Sequence, residues 1–236
     1  YALAGGAFGI AGRLLTEGLP PREECAGLRA AHVRLVAEII AAGDALHTRV
    51  EAAPSLEAAL QELEAAHTTA SIGLLTARRE LVRGLIVSVS LPAAFPILFT
   101  RLFLEAVDGV KKDLKKAVES LIGKHKQAYT PGLLKEIEEQ CGAAIGAWAS
   151  RQPAAFLEGL MRWHEDLYHW GFMEDEKCLL NLDRKDDIMA VTAARGPACV
   201  RARLQLLHHS LELLRRFVQP ALVLENVLTD IGGPIA

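Results

Sequence analysis

The chain has 236 residues, 51% of them hydrophobic and 23% charged, with a formal net charge of -3. That much apolar surface excludes a disordered polar chain, and the length suffices for one well-buried domain. The slightly acidic balance excludes a global pull toward nucleic acid, so any basic contact surface must be local.

Beta-branched and aromatic residues are few beside Ala, Leu, Glu, Arg and Lys, and the periodic segments are long. The expected class is therefore all-α with about eight helices. The cysteines, Cys25, Cys141, Cys178 and Cys199, form no C-x-x-C pair, and most fall at core-facing helical positions. They suit reduced thiols in an intracellular, reducing compartment. An opening Tyr1 fits either a chain cut from a longer one or a mature form that has lost a leader, and in the second case the Ala-rich composition suits a mitochondrial protein.

Residues 1–18 carry five glycines without the strand and G-x-G spacing of a dinucleotide loop. They read as a glycine-rich docking arm ahead of a single all-α domain over 19–236, with a subdivision near 127–132. From Arg22 the stripe Cys25, Leu28, His32, Leu35, Ile39, Ala42 and Leu46 predicts one long helix. Pro54 then punctuates the chain, Ser55 is a good N-cap, and Leu56, Leu60, Leu63, His67, Ala70, Leu74, Ala77 and Leu81 predict a second. So short a connection predicts a long antiparallel helical hairpin, about 22–50 and 55–91, packed with shorter helices into a bundle or an elongated array.

Between Gly84 and Leu104 the only charge is Arg101, a length that would span a bilayer. Pro92 and Pro96 divide that run into two apolar helix ends around a corner, with Pro96 in the first turn of the next helix. The corner reads as ordinary core or as an apolar surface for a partner or membrane, and in the second case Leu85, Phe95, Ile97 and Phe99 are its candidate contacts. The next helix follows Phe99, Phe103, Ala106, Val110, Leu114, Ala117 and Leu121. Its opposite side carries Lys111, Lys112, Lys115 and Lys116, which would suit an anionic membrane surface or an acidic protein.

Thr130 and Pro131 open a further helix that buries Leu134, Ile137, Cys141, Ile145 and Trp148. A break is expected at Ser150 to Pro153, then a helix through Phe156, Leu160 and His164 to Gly171. All three tryptophans, Trp148, Trp163 and Trp170, fall in this region and form a candidate aromatic interface. Glu174 to Asp187 reads as a short helix and a loop without calcium spacing. A helix ends near Gly196 and Pro197, and a last long one is expected to bury Cys199, Leu204, Leu207, Leu211, Leu214 and Val218. It stops at Pro220, before a short apolar helix and the tail GGPIA.

The chemistry-bearing residues do not assemble into a known pattern. Glu64 and His67 form one Glu-x-x-His where a di-metal carboxylate site needs two. His164 and His169 are five apart, about 140° around a helix, too far for one metal to grip both. His32 and His67, on the inner stripes of the hairpin, read first as core histidines satisfied by neighbouring groups, with a pH-sensitive pair across the hairpin as the rarer alternative. No G-x-S-x-G occurs, and GKHK at 123–126 lacks the rest of a phosphate loop.

The sequence therefore points to no catalytic residue, cofactor or metal. It reads as a non-catalytic helical scaffold or accessory subunit that contacts other protein subunits beside a membrane. The alternatives are a peripheral lipid-binding protein using the 84–104 corner with the 110–126 lysine-rich helix, and an enzyme with a bundle-core cofactor or metal.

Overall fold

The computed structural model describes residues 23–88, 91 and 94–232, with side chains over 27–231 of these. The glycine-rich arm, Pro92 and residues 233–236 of the tail lie outside them, and of Cys25 only the backbone is described. Among the described residues the fold is all-α. Its helices are α1 (Glu23–Glu51), α2 (Leu56–Thr68), α3 (Ile72–Val87), α4 (Phe95–His125), α5 (Pro131–Met173), α6 (Lys185–Arg195), α7 (Pro197–Arg215) and α8 (Pro220–Gly232). Short 3-10 turns occur at Lys126–Ala128, Glu176–Cys178 and Leu182–Arg184.

The hairpin forms, and its register can be read from three pairs. Arg49 Nε lies 2.8 Å from Glu62 Oε2, Gly73 leaves room for the Glu38 carboxylate, and Gly84 faces Leu28. The two numbers of each pair sum to the same value within one, as antiparallel helices require.

Its second arm is not one helix. The hydroxyls of Thr68 and Thr69 both bond Ala65 O, at 3.0 and 2.8 Å, and the Thr69 N–H bonds it too. Hydroxyls that compete for a helix carbonyl favour an exit from the helix. Thr69 is extended, and Ser71 then caps α3 by accepting from Leu74 N at 3.2 Å. His67 and Ala70 flank this break and are exposed, so His67 does not lie on the inner stripe, and no contact with His32 forms through that face. Ser55 caps α2 as expected, its hydroxyl accepting from Ala58 N at 3.2 Å.

The chain gathers into two compact units. The first takes its described residues from Val33–Thr76 and Leu102–Gln152. Its core is built from Leu35, Ile39 and Leu46 of α1, Leu56 and Leu63 of α2, Phe103, Val110 and Leu114 of α4, and Ile137, Ile145 and Trp148 of α5. A Cβ on Gly43 would overlap the Val110 side chain, so α1 and α4 meet there through glycine. Tyr129 donates to Glu57 Oε2 at 2.7 Å, tying the turn before α5 to the first turn of α2. That bond holds the Glu57 carboxyl below its ordinary pKa.

The second unit takes its described residues from 23–32, Ala77–Arg101 and 153–232. Leu81, Leu85 and Ile86 of α3, Phe95 and Phe99 of α4, Phe156, Trp163 and Leu167 of α5, Ile188 of α6, Leu207 of α7 and Leu224 and Val227 of α8 fill its core.

α5 runs for 43 residues with Pro153 inside it, where a break is expected from sequence. Proline removes one backbone donor and costs about 3 kcal/mol in a helix interior. Burying Phe156, Leu157 and Leu160, each about 1.5–3 kcal/mol, more than offsets that. Gln152 Nε2 also donates to Trp148 O at 3.1 Å, one residue before the Ala149 carbonyl for which Pro153 has no donor.

α7 differs from its apolar stripe as well. Val200, Arg203, Leu207, Ser210 and Leu211 are buried, while Cys199, Leu204, Leu214 and Val218 are only half-buried. The face is rotated because Arg203 turns inward, where its Nη2 donates to Asp230 O of α8 at 3.2 Å.

Candidate functional site

The densest polar construction lies in the second unit, where α5 holds the segment leading into α6. Asp166 is fully buried, and its carboxylate accepts from Leu180 N (2.7 Å), Asn181 N (2.9 Å) and Asn181 Nδ2 (2.7 Å). The Asn181 carbonyl oxygen in turn accepts from Arg79 Nε at 3.2 Å. Arg79 also pairs with Asp183, and one helical turn on, Arg83 forks onto Asp187 at 2.5 and 3.2 Å. These bonds hold the Asp183 and Asp187 carboxyls below their ordinary range. Farther along, Arg195 Nη2 donates to Ile86 O (2.8 Å) and Ser88 O (2.9 Å), closing the C-terminal end of α3. The acceptors of this network are engaged by backbone, amide and guanidinium donors, which ties the segment 180–187 to α3 and α5.

Two histidines are buried apart from it. His32 is 2% exposed, with its ring 4.5 Å from Phe99 and 6.2 Å from Phe95. Burial pushes its pKa down to about 3, so the ring is neutral. His164 is fully buried, and its Nδ1 donates to Leu160 O at 2.8 Å, which leaves Nε2 as the acceptor. Burial brings its pKa down to about 4. His169, by contrast, is half-buried beside Tyr168, and Glu64 and His67 are exposed. Among the described residues no three His, Cys, Asp or Glu side chains converge as a metal site.

The residues singled out from sequence divide sharply. Leu85, Phe95 and Phe99 are interior side chains, at most 1% exposed, because the corner folds onto His32 and Phe156; only Ile97 of that set faces outward. No described helix is long and apolar enough to cross a membrane. Lys112, Lys115 and Lys116 are exposed and Lys111 half-buried, with Lys116 paired to Asp113 at 3.0 Å. Trp148 and Trp163 sit in the cores of different units, and Trp170, half-buried, lies under Lys185 Nζ at 5.5 Å. The tryptophans thus serve separate sites along one long helix. Of the cysteines, Cys141 is buried, while Cys178, on a 3-10 turn, and Cys199 are half-buried rather than core-facing.

The chain matches no protein-family model, no curated protein and no solved structure.

Two exposed apolar features were not legible in the periodicity. At the end of α5, Phe172 and Met173 are 61% and 53% exposed beside an open depression of about 370 Å³. Pro197, Ala198, Arg201, Ala202 and Gln205 of α7 line the rest of it. At the other end of α7, Phe217 is 95% exposed, with Leu222 at 60% on the first turn of α8. A burial pattern read from spacing places apolar residues inward and so passes over both.

Proposed function

We propose that this chain is a non-catalytic helical scaffold or accessory subunit that works through contacts with other proteins. The observation that carries this reading is the depression beside Phe172. It joins an exposed aromatic ring to a floor of proline and alanine with a single arginine at its edge, the composition of an interface centre. The lysine face of α4 provides a second, polar contact for an acidic neighbour. Buried polar groups elsewhere, Asp166 above all, serve the fold, which supports a binding role over a chemical one. The free thiols of Cys141, Cys178 and Cys199 support a reducing compartment.

The test is native purification with mass measured by light scattering and components identified by mass spectrometry. The expected result is a stoichiometric complex with other chains that Phe172→Glu disrupts while the isolated chain keeps its helicity. A lone chain carrying a metal or an organic cofactor in stoichiometric amount would overturn the reading.

A further inference from the structure

The end of α7 places a phenylalanine where both its backbone and its side chain are unfavourable. Val218 N–H donates to Leu213 O at 3.0 Å and Phe217 N–H to Leu214 O at 3.1 Å, the paired bonds of a Schellman cap. The residue at Phe217 must then adopt positive φ, here 60°, a position that glycine fills best and bulky residues avoid. Its ring is 95% exposed, so no packing within the described residues offsets the backbone cost. A turn that needs glycine and carries an unburied phenylalanine is explained by something beyond the described residues that covers the ring.

The surroundings indicate what that is. Between Leu213 and Leu224 the only charged residues are Arg215 and Arg216. Both are exposed, and neither guanidinium has an ionic partner among the described residues. Leu222 adds a second exposed apolar side chain across the turn. An exposed turn with an aromatic ring, a leucine and two arginines without ionic partners among the described residues complements a surface that is apolar just beneath a negatively charged layer. The rival occupant is a protein surface with an apolar hollow rimmed by acids. The depression beside Phe172 does not qualify, because Arg201 borders it and would repel the two arginines. An anionic bilayer needs no such match.

We propose that residues 215–222, the turn between α7 and α8, form a shallow membrane-binding tip. It seats Phe217 and Leu222 among the headgroups of an anionic bilayer, with Arg215 and Arg216 on lipid phosphates and carboxylates. The binding is peripheral, with the last turn of α7 and the first turn of α8 reaching no deeper than the headgroups.

The experiment is flotation of the full chain with vesicles of phosphatidylcholine alone and of phosphatidylcholine mixed with phosphatidylserine, at low and high salt. Wild type is expected to float with the anionic vesicles only, and less at high salt. Phe217→Gly should weaken this about tenfold or more while leaving the melting temperature equal or higher. The double variant Arg215→Glu, Arg216→Glu should abolish flotation, and Ile72→Ser, an equally apolar but distant exposed position at the start of α3, should leave it unchanged. Failure of wild type to float with anionic vesicles overturns the proposal. Equal flotation of Phe217→Gly or of the charge-reversed variant overturns it as well. A lower melting temperature for Phe217→Gly would mean that the ring serves the fold, and concentration-dependent self-association without flotation would mean that a second copy covers it. Either result sinks the lipid assignment.

Discussion

Replacing Asp166 by alanine removes a fully buried carboxylate and leaves Leu180 N, Asn181 N and Asn181 Nδ2 without their acceptor. Hydrogen bonds to a charged group contribute about 1.5–3 kcal/mol each, and donors stranded in the interior add their own desolvation cost. The three are not additive, because the segment 180–181 can move partly into water once released. A loss of about 3–5 kcal/mol is expected, or roughly 10 °C in melting temperature for a chain of this size. Asp166→Asn keeps one carbonyl oxygen but turns its own amide toward backbone donors, so it should lose about half as much. Thermal unfolding followed by circular dichroism gives the magnitude, and limited trypsin digestion gives the location. Lys177, Arg184 and Lys185 lie in or beside the released segment and should be cut sooner in the variant. A loss under about 1 kcal/mol, or an unchanged cleavage pattern, would show that the segment is held by something other than this carboxylate.

The buried histidines predict an acid-sensitive fold. His32 has a folded pKa near 3 against an ordinary 6.5, so only the unfolded chain takes up its proton, and stability falls as pH drops from 6.5 toward 3. Urea unfolding at pH 7 and pH 5 should show His32→Leu losing about 2 kcal/mol less than wild type over that interval. Gly43→Ala forces a methyl into Val110 and should cost about 1–3 kcal/mol in the same assay, whereas Gly142→Ala, where a Cβ meets nothing, should not destabilise. Burial pushes the Cys141 thiol to about 11, so peptide mapping after brief iodoacetamide treatment should find Cys178 modified and Cys141 spared until denaturant is added.

Where burial alone decides the pattern, the sequence was a sufficient guide. All seven positions of the stripe from Phe99 to Leu121 are buried, and the Ser55 cap and the start of α4 with Pro96 in its first turn stand where residue type predicts. It was a poor guide where two local signals compete. Thr68, Thr69 and Ser71 stop and restart a helix whose apolar spacing continues across them, and Pro153 sits in a helix that flanking core contacts keep intact. The inward turn of Arg203 and the anchoring of 180–181 by Asp166 depend on partners distant in sequence, a backbone carbonyl on α8 and a loop fourteen to fifteen residues on. Spacing carries no record of those meetings. Phe217 eluded it for another reason: its exposure and its positive φ follow from where α7 ends, which apolar spacing does not mark.

The hairpin's constant pairing, Leu28 with Gly84, Glu38 with Gly73 and Arg49 with Glu62, holds on both sides of the interruption at 69–71. Those three residues therefore act as a spacer of fixed count. Loss or gain of a single codon there would turn α3 by about 100° relative to α1. Arg79 and Arg83 would be carried off Asp183 and Asp187 together, and a larger side chain would replace glycine at each close approach. A single-codon deletion scan should find this exposed, polar triplet less forgiving than its solvent accessibility alone would imply, since its length, more than its chemistry, is what the fold measures.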